Sequence, residues 1–140
     1  MSCYNSAIIN AAPESVWALL KNFHDMSWAV GVIETLEPVG SVAASEPGAR
    51  RLLNGIIQET LTAVDDVNMT LNYTLDDGPA VLAADQVTNY RATMCVRPIT
   101  ATGQSFVEWQ TVWDAAEGDV KGFCDPLYVG MLSALAAKYQ

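Results

Sequence analysis

The sequence predicts an α+β fold in which a curved antiparallel sheet of about seven strands wraps around one long C-terminal helix, with two short helices after the first strand. Three observations carry this. Apolar and polar residues alternate with period two through most of the stretch from Val30 to Ala115. Turn signals interrupt the alternation at hairpin spacing, notably Asn54-Gly55 and Asp76-Asp77-Gly78-Pro79. The one long apolar stripe at helical spacing lies at the C-terminus, in Tyr128, Met131, Leu132, Leu135 and Tyr139. Hairpin-linked strands form an antiparallel sheet with one covered face, and only the final helix is long enough to cover it. A sheet of this size twists and curves.

Taken in order, Met1 to Asn10 reads as a strand. A helix starts at Ala12-Pro13-Glu14, with proline at the first position and an acid at the positive end of the dipole. Val16, Trp17, Leu20 and Phe23 recur on one face of it, and Asn22 to Ser27 reads as a second short helical turn. Strands follow over Val30–Val39, Ala49–Leu53, Ile56–Val64, Met69–Leu75, Gln86–Arg97 and Ser105–Ala115. The final helix is clearest from Asp125, a good N-cap followed by Pro126, although it could begin near Asp119 and bend at the proline.

Composition narrows the function. The 140 residues suit one domain spanning 1–140, long enough to bury a core without disulfides or metals. Hydrophobic residues make up 51% and charged residues 16%, so the interior is large or partly hollow. The formal net charge is −9 and only seven residues are Lys or Arg, which argues against nucleic acid and against an anionic membrane surface as partners. Cys3, Cys95 and Cys124 are an odd set without metal-ligand spacing. They read as reduced thiols in a cytoplasmic protein, and the N-terminus lacks the basic and apolar regions of a signal peptide. No His/Cys cluster, phosphate-binding glycine loop or nucleophile elbow is present, so neither a metal nor a cofactor is expected.

Alternation assigns side chains to faces. Ile57, Glu59, Leu61 and Ala63 share the apolar face of their strand; Met69, Leu71, Tyr73 and Leu75 share the next. Tyr90, Ala92, Met94 and Val96 face in on the following strand, and Val107, Trp109, Thr111 and Trp113 on the last. Glu59 is thus carried inward with an apolar set. If Asn54-Gly55 is a two-residue loop, Arg50 lies opposite Glu59; a longer loop or a bulge puts Arg51 there instead. Such a pair is either a candidate functional site or a cross-strand ion pair at the wet end of the sheet. The expected cavity walls are Leu61, Tyr73, Tyr90, Met94, Trp109 and Trp113 from the sheet, with Met131 and Leu135 from the helix. His24, the only histidine, reads as a surface or capping residue.

The run Ala12-Pro-Glu-Ser-Val-Trp-Ala-Leu-Leu-Lys-Asn-Phe23 is followed by Trp28, Gly48-Ala-Arg-Arg51, Glu59-Thr-Leu61, Asp65, Tyr73, Gly78-Pro79, Tyr90 and Val107-Glu-Trp109. Together these resemble the START-like or Bet v 1-like (SRPBCC) superfamily, in particular its polyketide cyclase/dehydrase-type branch, over nearly the whole chain. The resemblance implies a helix-grip fold with a cavity between sheet and helix, and members that bind lipids, sterols, polyketides or plant hormones or act as cyclases, dehydratases or isomerases. One plant branch has an inward Arg and Glu on neighbouring strands with tyrosines nearby; Arg50 or Arg51, Glu59, Tyr73 and Tyr90 stand at comparable places. Three readings follow. The first is a monomeric or homodimeric binder of a small hydrophobic molecule. The second is a cofactor-independent cyclase, dehydratase or isomerase with Glu59 as base, Arg50 as anion stabiliser and Tyr73 or Tyr90 orienting substrate. The third, a protein-interaction module, lacks an exposed apolar stripe to support it.

Overall fold

The computed structural model describes residues 1–140. Strand β1 (Ser2–Ile9) leads into helix α1 (Pro13–Leu20), whose Val16, Trp17 and Leu20 are buried. The second short helix expected over Asn22–Ser27 does not form. Asn22 Oδ1 accepts the His24 N–H at 3.1 Å and Asp25 Oδ1 accepts the Ser27 N–H at 2.9 Å, so side chains hold the backbone in turns that compete with a helix. The Phe23 N–H goes to the Ala44 carbonyl of a distant loop. His24 reaches the Arg50 carbonyl through Nε2 at 3.0 Å, from a partly exposed position.

Strand β2 is Leu36–Val39, shorter than the expected Val30–Val39. Val32 and Ile33 donate back to the Ala29 carbonyl, and Gly31 adopts φ 84°, which turns this segment away from an extended path. The remaining elements are β3 (Arg50–Leu53), β4 (Ile57–Asp65), β5 (Thr70–Asp77), a 3₁₀ turn at Ala80–Leu82, β6 (Val87–Thr88), β7 (Arg91–Pro98), β8 (Ser105–Val112), β9 (Ala115–Ala116) and helix α2 (Val120–Lys138). Seven strands form one antiparallel sheet in the order β1-β8-β7-β5-β4-β3-β2, and β6 pairs with β9 in a separate ladder. The two long strands expected over Gln86–Arg97 and Ser105–Ala115 are therefore each broken. Asn89 takes φ 54°, and the Asp114 N–H bonds to the Thr88 carbonyl, turning both chains out of the main sheet together.

Helix α2 starts at Val120. Asp119 is its N-cap, accepting the Gly122 N–H through Oδ1 at 2.9 Å. A Cβ at residue 122 would meet the other oxygen of Asp119, so a larger residue here would require that carboxylate to shift. Asp125 is thus not the cap; it pairs with Lys121 one turn earlier and accepts from Asn5 of β1. Pro126 sits inside the helix, which continues without a break. Its missing N–H is tolerated because Cys124, Tyr128, Met131, Leu132 and Leu135 bury one face of α2 against the sheet. The whole is an α+β arrangement with one short and one long helix, consistent with the helix grip.

Two register features position the interior. Within β4 a bulge between Leu61 and Ala63 shifts the pairing with β5. Ala63, expected inside, is exposed, and Val64, opposite Leu71, takes the inward side. At the β3–β4 hairpin, Asn54 and Gly55 have the positive φ of a tight turn, 53° and 70°, but the ladder begins one residue later, pairing Leu53 with Ile57. Ile56 is the extra residue and is 54% exposed. Asn54 is committed to the Val32–Thr35 segment: its Oδ1 accepts the Glu34 and Thr35 N–H groups and its Nδ2 donates to the Val32 carbonyl. The two-residue loop is thereby replaced by a three-residue one, Arg51 lies opposite Glu59, and Arg50 lies opposite Thr60, exposed. Arg50 is not the inward cation.

Helix α1 is tied to the turn after β4 by Asp66, which accepts the buried Trp17 Nε1–H at 2.9 Å and the Lys21 ammonium at 3.2 Å. The Trp17 bond first, then Lys21, holds this carboxyl below its ordinary value of 3.8. A depressed carboxylate pKa contributes stability above the unfolded value that is lost as pH falls through the folded one. Asp66→Ala is therefore expected to lower the melting temperature at pH 7, with the gap to the wild type closing as pH drops below about 3.8 in parallel calorimetric scans.

Candidate functional site

The concave face of the sheet and α2 enclose a cavity of about 70 Å³ lined by sixteen residues, thirteen of them hydrophobic. Its floor comes from the sheet: Arg51 and Leu53 of β3, Ile57 and Glu59 of β4, Tyr73 and Leu75 of β5, and Trp109 of β8. Its roof is α2, through Cys124, Leu127, Tyr128 and Met131. Met26, Val32 and Ile33 close one side. Gly130 lets Val32 lie directly on α2, since a Cβ there would stand 3.0 Å from Val32 Cγ2. Val32, Ile33, Asn54, Ile57, Leu75 and Leu127 are only half-buried and form the rim, whereas the charged and aromatic residues are deep.

Arg51 and Glu59 are brought together by the hairpin register. Their side chains are 5% and 7% exposed. Arg51 donates through Nε to Glu59 Oε1 at 2.8 Å, and its Nη2 lies 2.6 Å from the same oxygen in the ion pair. Nη1 donates to the Phe23 carbonyl at 3.2 Å, and the Phe23 ring covers the guanidinium with its centroid 3.7 Å from Cζ. Glu59 Oε2 receives no hydrogen bond from the protein. Burial pushes the Glu59 carboxyl above its ordinary 4.5, with Arg51 acting in the opposite direction and only partly offsetting it. The neighbouring cation alone suggests a lowered value; the depth of the pair reverses that.

Tyr73 follows, its ring 5.3 Å from the guanidinium and 5.8 Å from Phe23. Its hydroxyl accepts the Trp109 Nε1–H at 3.0 Å and donates to no protein atom. Trp109 reaches it from β8 across β7, where the inward residue beside Tyr73 is the small Ala92. Trp109 also packs on Tyr128, ring centroids 4.8 Å apart, and Tyr128 and Tyr90 share a hydroxyl–hydroxyl hydrogen bond. Burial, above all, drives Tyr73, Tyr90 and Tyr128 well above 10, so all three phenols keep their protons.

Of the residues expected on the wall, Tyr73, Trp109 and Met131 line the cavity, and so do Glu59 and Arg51, the alternative to Arg50 as its partner. Tyr90 stands behind Tyr128 and stacks on Trp113 at 5.8 Å with the rings 6° from parallel. Leu61, Met94, Trp113 and Leu135 are buried in the surrounding core without reaching the cavity. Alternation tells which face a side chain takes, and all of these face inward; it does not tell how far along the strand the hollow extends. Tyr128 and Leu127 were within reach of the sequence, since Tyr128 heads the helical stripe. Phe23 carried helical spacing and Val32 and Ile33 fell in an expected strand, but these residues and Met26 lie in turns between α1 and β2, where no periodicity marks the inward side. No group of His, Cys, Asp or Glu is arranged to hold a metal ion, and all three cysteines are free and buried.

With this geometry in view, the sequence matches the family described as "Polyketide cyclase / dehydrase and lipid transport" over residues 2–140. No curated protein matches. Among solved structures, a protein from Nitrosospira multiformis is 34% identical over 100% of this chain and 97% of its own, with a TM-score of 0.96. The protein XoxI from Bacillus cereus is 24% identical over 99% of this chain and 94% of its own, with a TM-score of 0.82. A Thermobifida fusca protein, also 24% identical, covers 99% of this chain and 92% of its own with a TM-score of 0.81. The last two share the fold. A family match across all but the first residue makes this chain a member of the SRPBCC-type polyketide cyclase/dehydrase and lipid transport family.

Proposed function

We propose that the protein binds a small, largely apolar molecule in the cavity between the sheet and α2, with Arg51, Glu59 and Tyr73 as the polar end of the site. One observation carries this reading: in a wall that is otherwise apolar, Glu59 Oε2 and the Tyr73 O–H are left without protein partners beside the hollow. Both face the cavity, where a ligand group or an ordered water can complete them. The family description, which includes lipid transport, supports the same reading.

At about 70 Å³ the cavity is smaller than the ~150 Å³ hollow that accommodates a benzene ring. A ligand therefore enters by widening the site, and the residues able to give way are Met26 and Met131, with flexible thioether chains, and the half-buried Val32 and Ile33. A thermal-shift panel of small apolar alcohols, ketones, acids, flavonoids and sterols is expected to yield at least one compound that raises the melting point by several degrees at saturating concentration. A flat panel would refute the binding reading.

A second reading is favoured by Glu59 itself. A carboxyl raised by burial and fixed through one oxygen on Arg51 leaves the other oxygen free to take a proton from a bound substrate. Arg51 would then stabilise the negative charge developing next to it. If turnover of a bound compound is found, Glu59→Gln is expected to reduce kcat by 10²-fold or more while binding persists. Because the base must be ionised, activity is expected to rise with pH along a limb lying above 4.5, and that limb should vanish in the variant.

Stability and function of the pair separate cleanly by mutation. Removing one partner strands a buried charge, so Arg51→Met alone is expected to cost about 3–5 kcal/mol in chemical denaturation. Replacing both, Arg51→Met with Glu59→Leu, is expected to restore stability to within about 1–2 kcal/mol of the wild type or exceed it. The double variant should lose the ligand response; retention of that response would reduce the pair to a structural feature.

A further inference from the structure

We infer that the natural ligand of this cavity is a neutral molecule carrying a hydroxyl group, an alcohol or phenol, and that the site discriminates against organic anions of the same shape. This rests on the binding reading above and specifies its ligand class.

The argument is one of charge and of hydrogen-bond valence. Arg51 is the only cationic side chain on the cavity wall, and it is already neutralised. Two of its nitrogens point at Glu59 Oε1, a third serves the Phe23 carbonyl, and the Phe23 ring lies over the guanidinium. A carboxylate or phosphate ligand would bring a second negative charge next to Glu59 among largely apolar walls, with no free cation to meet it. Displacing Glu59 from Arg51 would strand Glu59 instead.

What remains open is one acceptor and one donor. Glu59 Oε2 accepts nothing from the protein, and the Tyr73 hydroxyl donates to nothing. The Trp109 indole N–H occupies one lone pair of the Tyr73 oxygen and so turns the phenolic proton toward other partners. The two groups line the same hollow and flank one guanidinium: Glu59 Oε1 lies 2.6 Å from Arg51 Nη2, and the Tyr73 ring centroid lies 5.3 Å from Arg51 Cζ. An alcohol or phenol completes both: its O–H donates to Glu59 Oε2 and its oxygen accepts the Tyr73 O–H. A hydrocarbon leaves both unsatisfied, and a carboxylate has no proton to donate.

The test uses matched probes with the full chain labelled with ¹⁵N, reading the Trp109 indole N–H resonance. Benzyl alcohol, toluene and benzoate form one series, and 1-hexanol with hexanoate a second. The alcohols are expected to bind at least tenfold more tightly than their partners at pH 7. In Tyr73→Phe the preference for benzyl alcohol over toluene should fall toward unity. Should that variant not fold, Trp109→Phe, which frees the Tyr73 hydroxyl to rotate, should weaken the same preference, with the shifts read on the remaining cavity resonances. Benzoate binding as tightly as benzyl alcohol, or toluene doing so, overturns the inference while leaving the cavity a binding site. If no probe in either series perturbs any cavity resonance, the binding reading fails and the inference with it.

Discussion

A guanidinium and a carboxylate buried side by side impose a condition on everything around them. Each is stable in a water-poor interior only if its partner, its geometry and its remaining hydrogen bonds are all supplied. Here β3 and β4 provide the pair, but a third element completes it. The carbonyl and ring of Phe23, from the turns after α1, hold Arg51 from the far side. Phe23 is in turn anchored through its N–H to the Ala44 carbonyl. The irregular segment between α1 and β2 is thus part of the electrostatic structure of the site, which explains why it is fixed by side-chain-to-backbone bonds rather than by helix. Aromatic packing extends the constraint through Tyr73 to Trp109 and Tyr128, joining β5, β8 and α2.

Much of this was legible in the sequence, and the exceptions have physical causes. Period-two alternation placed Glu59, Tyr73, Tyr90, Met94, Trp109 and Trp113 on the inner face, and they are there. It failed at Ala63, where a bulge moves the following residues by one, because a bulge adds a residue without changing composition. The start of α2 was read at Asp125 or near Asp119, and Asp119 caps it; both acids suit an N-cap, and only the bond from the Gly122 N–H to Asp119 tells them apart. The Glu59 carboxyl is raised by burial despite the adjacent Arg51, and depth of this kind is encoded in no local pattern. The cavity's extent was the least visible property, since it depends on where β-strands, a turn-rich segment and a helix fail to fill space.

The family covers both carriage and catalysis, and the geometry explains how one framework serves both. A single curved sheet and helix supply shape; the few polar groups exposed to the hollow supply chemistry. In this chain Arg51 is tied to Glu59 and Tyr73 to Trp109, so little hydrogen-bonding capacity is left facing the hollow.

The three-residue turn at Asn54–Ile56 acts beyond its local geometry. Two adjacent arginines precede it, and the register it sets decides which one is internal. A slip of one residue in that pairing would put Arg50 opposite Glu59 and exchange the two without altering any side chain. The sign and place of the interior charge are thus held by a turn whose anchor, Asn54, reaches across to the Val32–Thr35 segment.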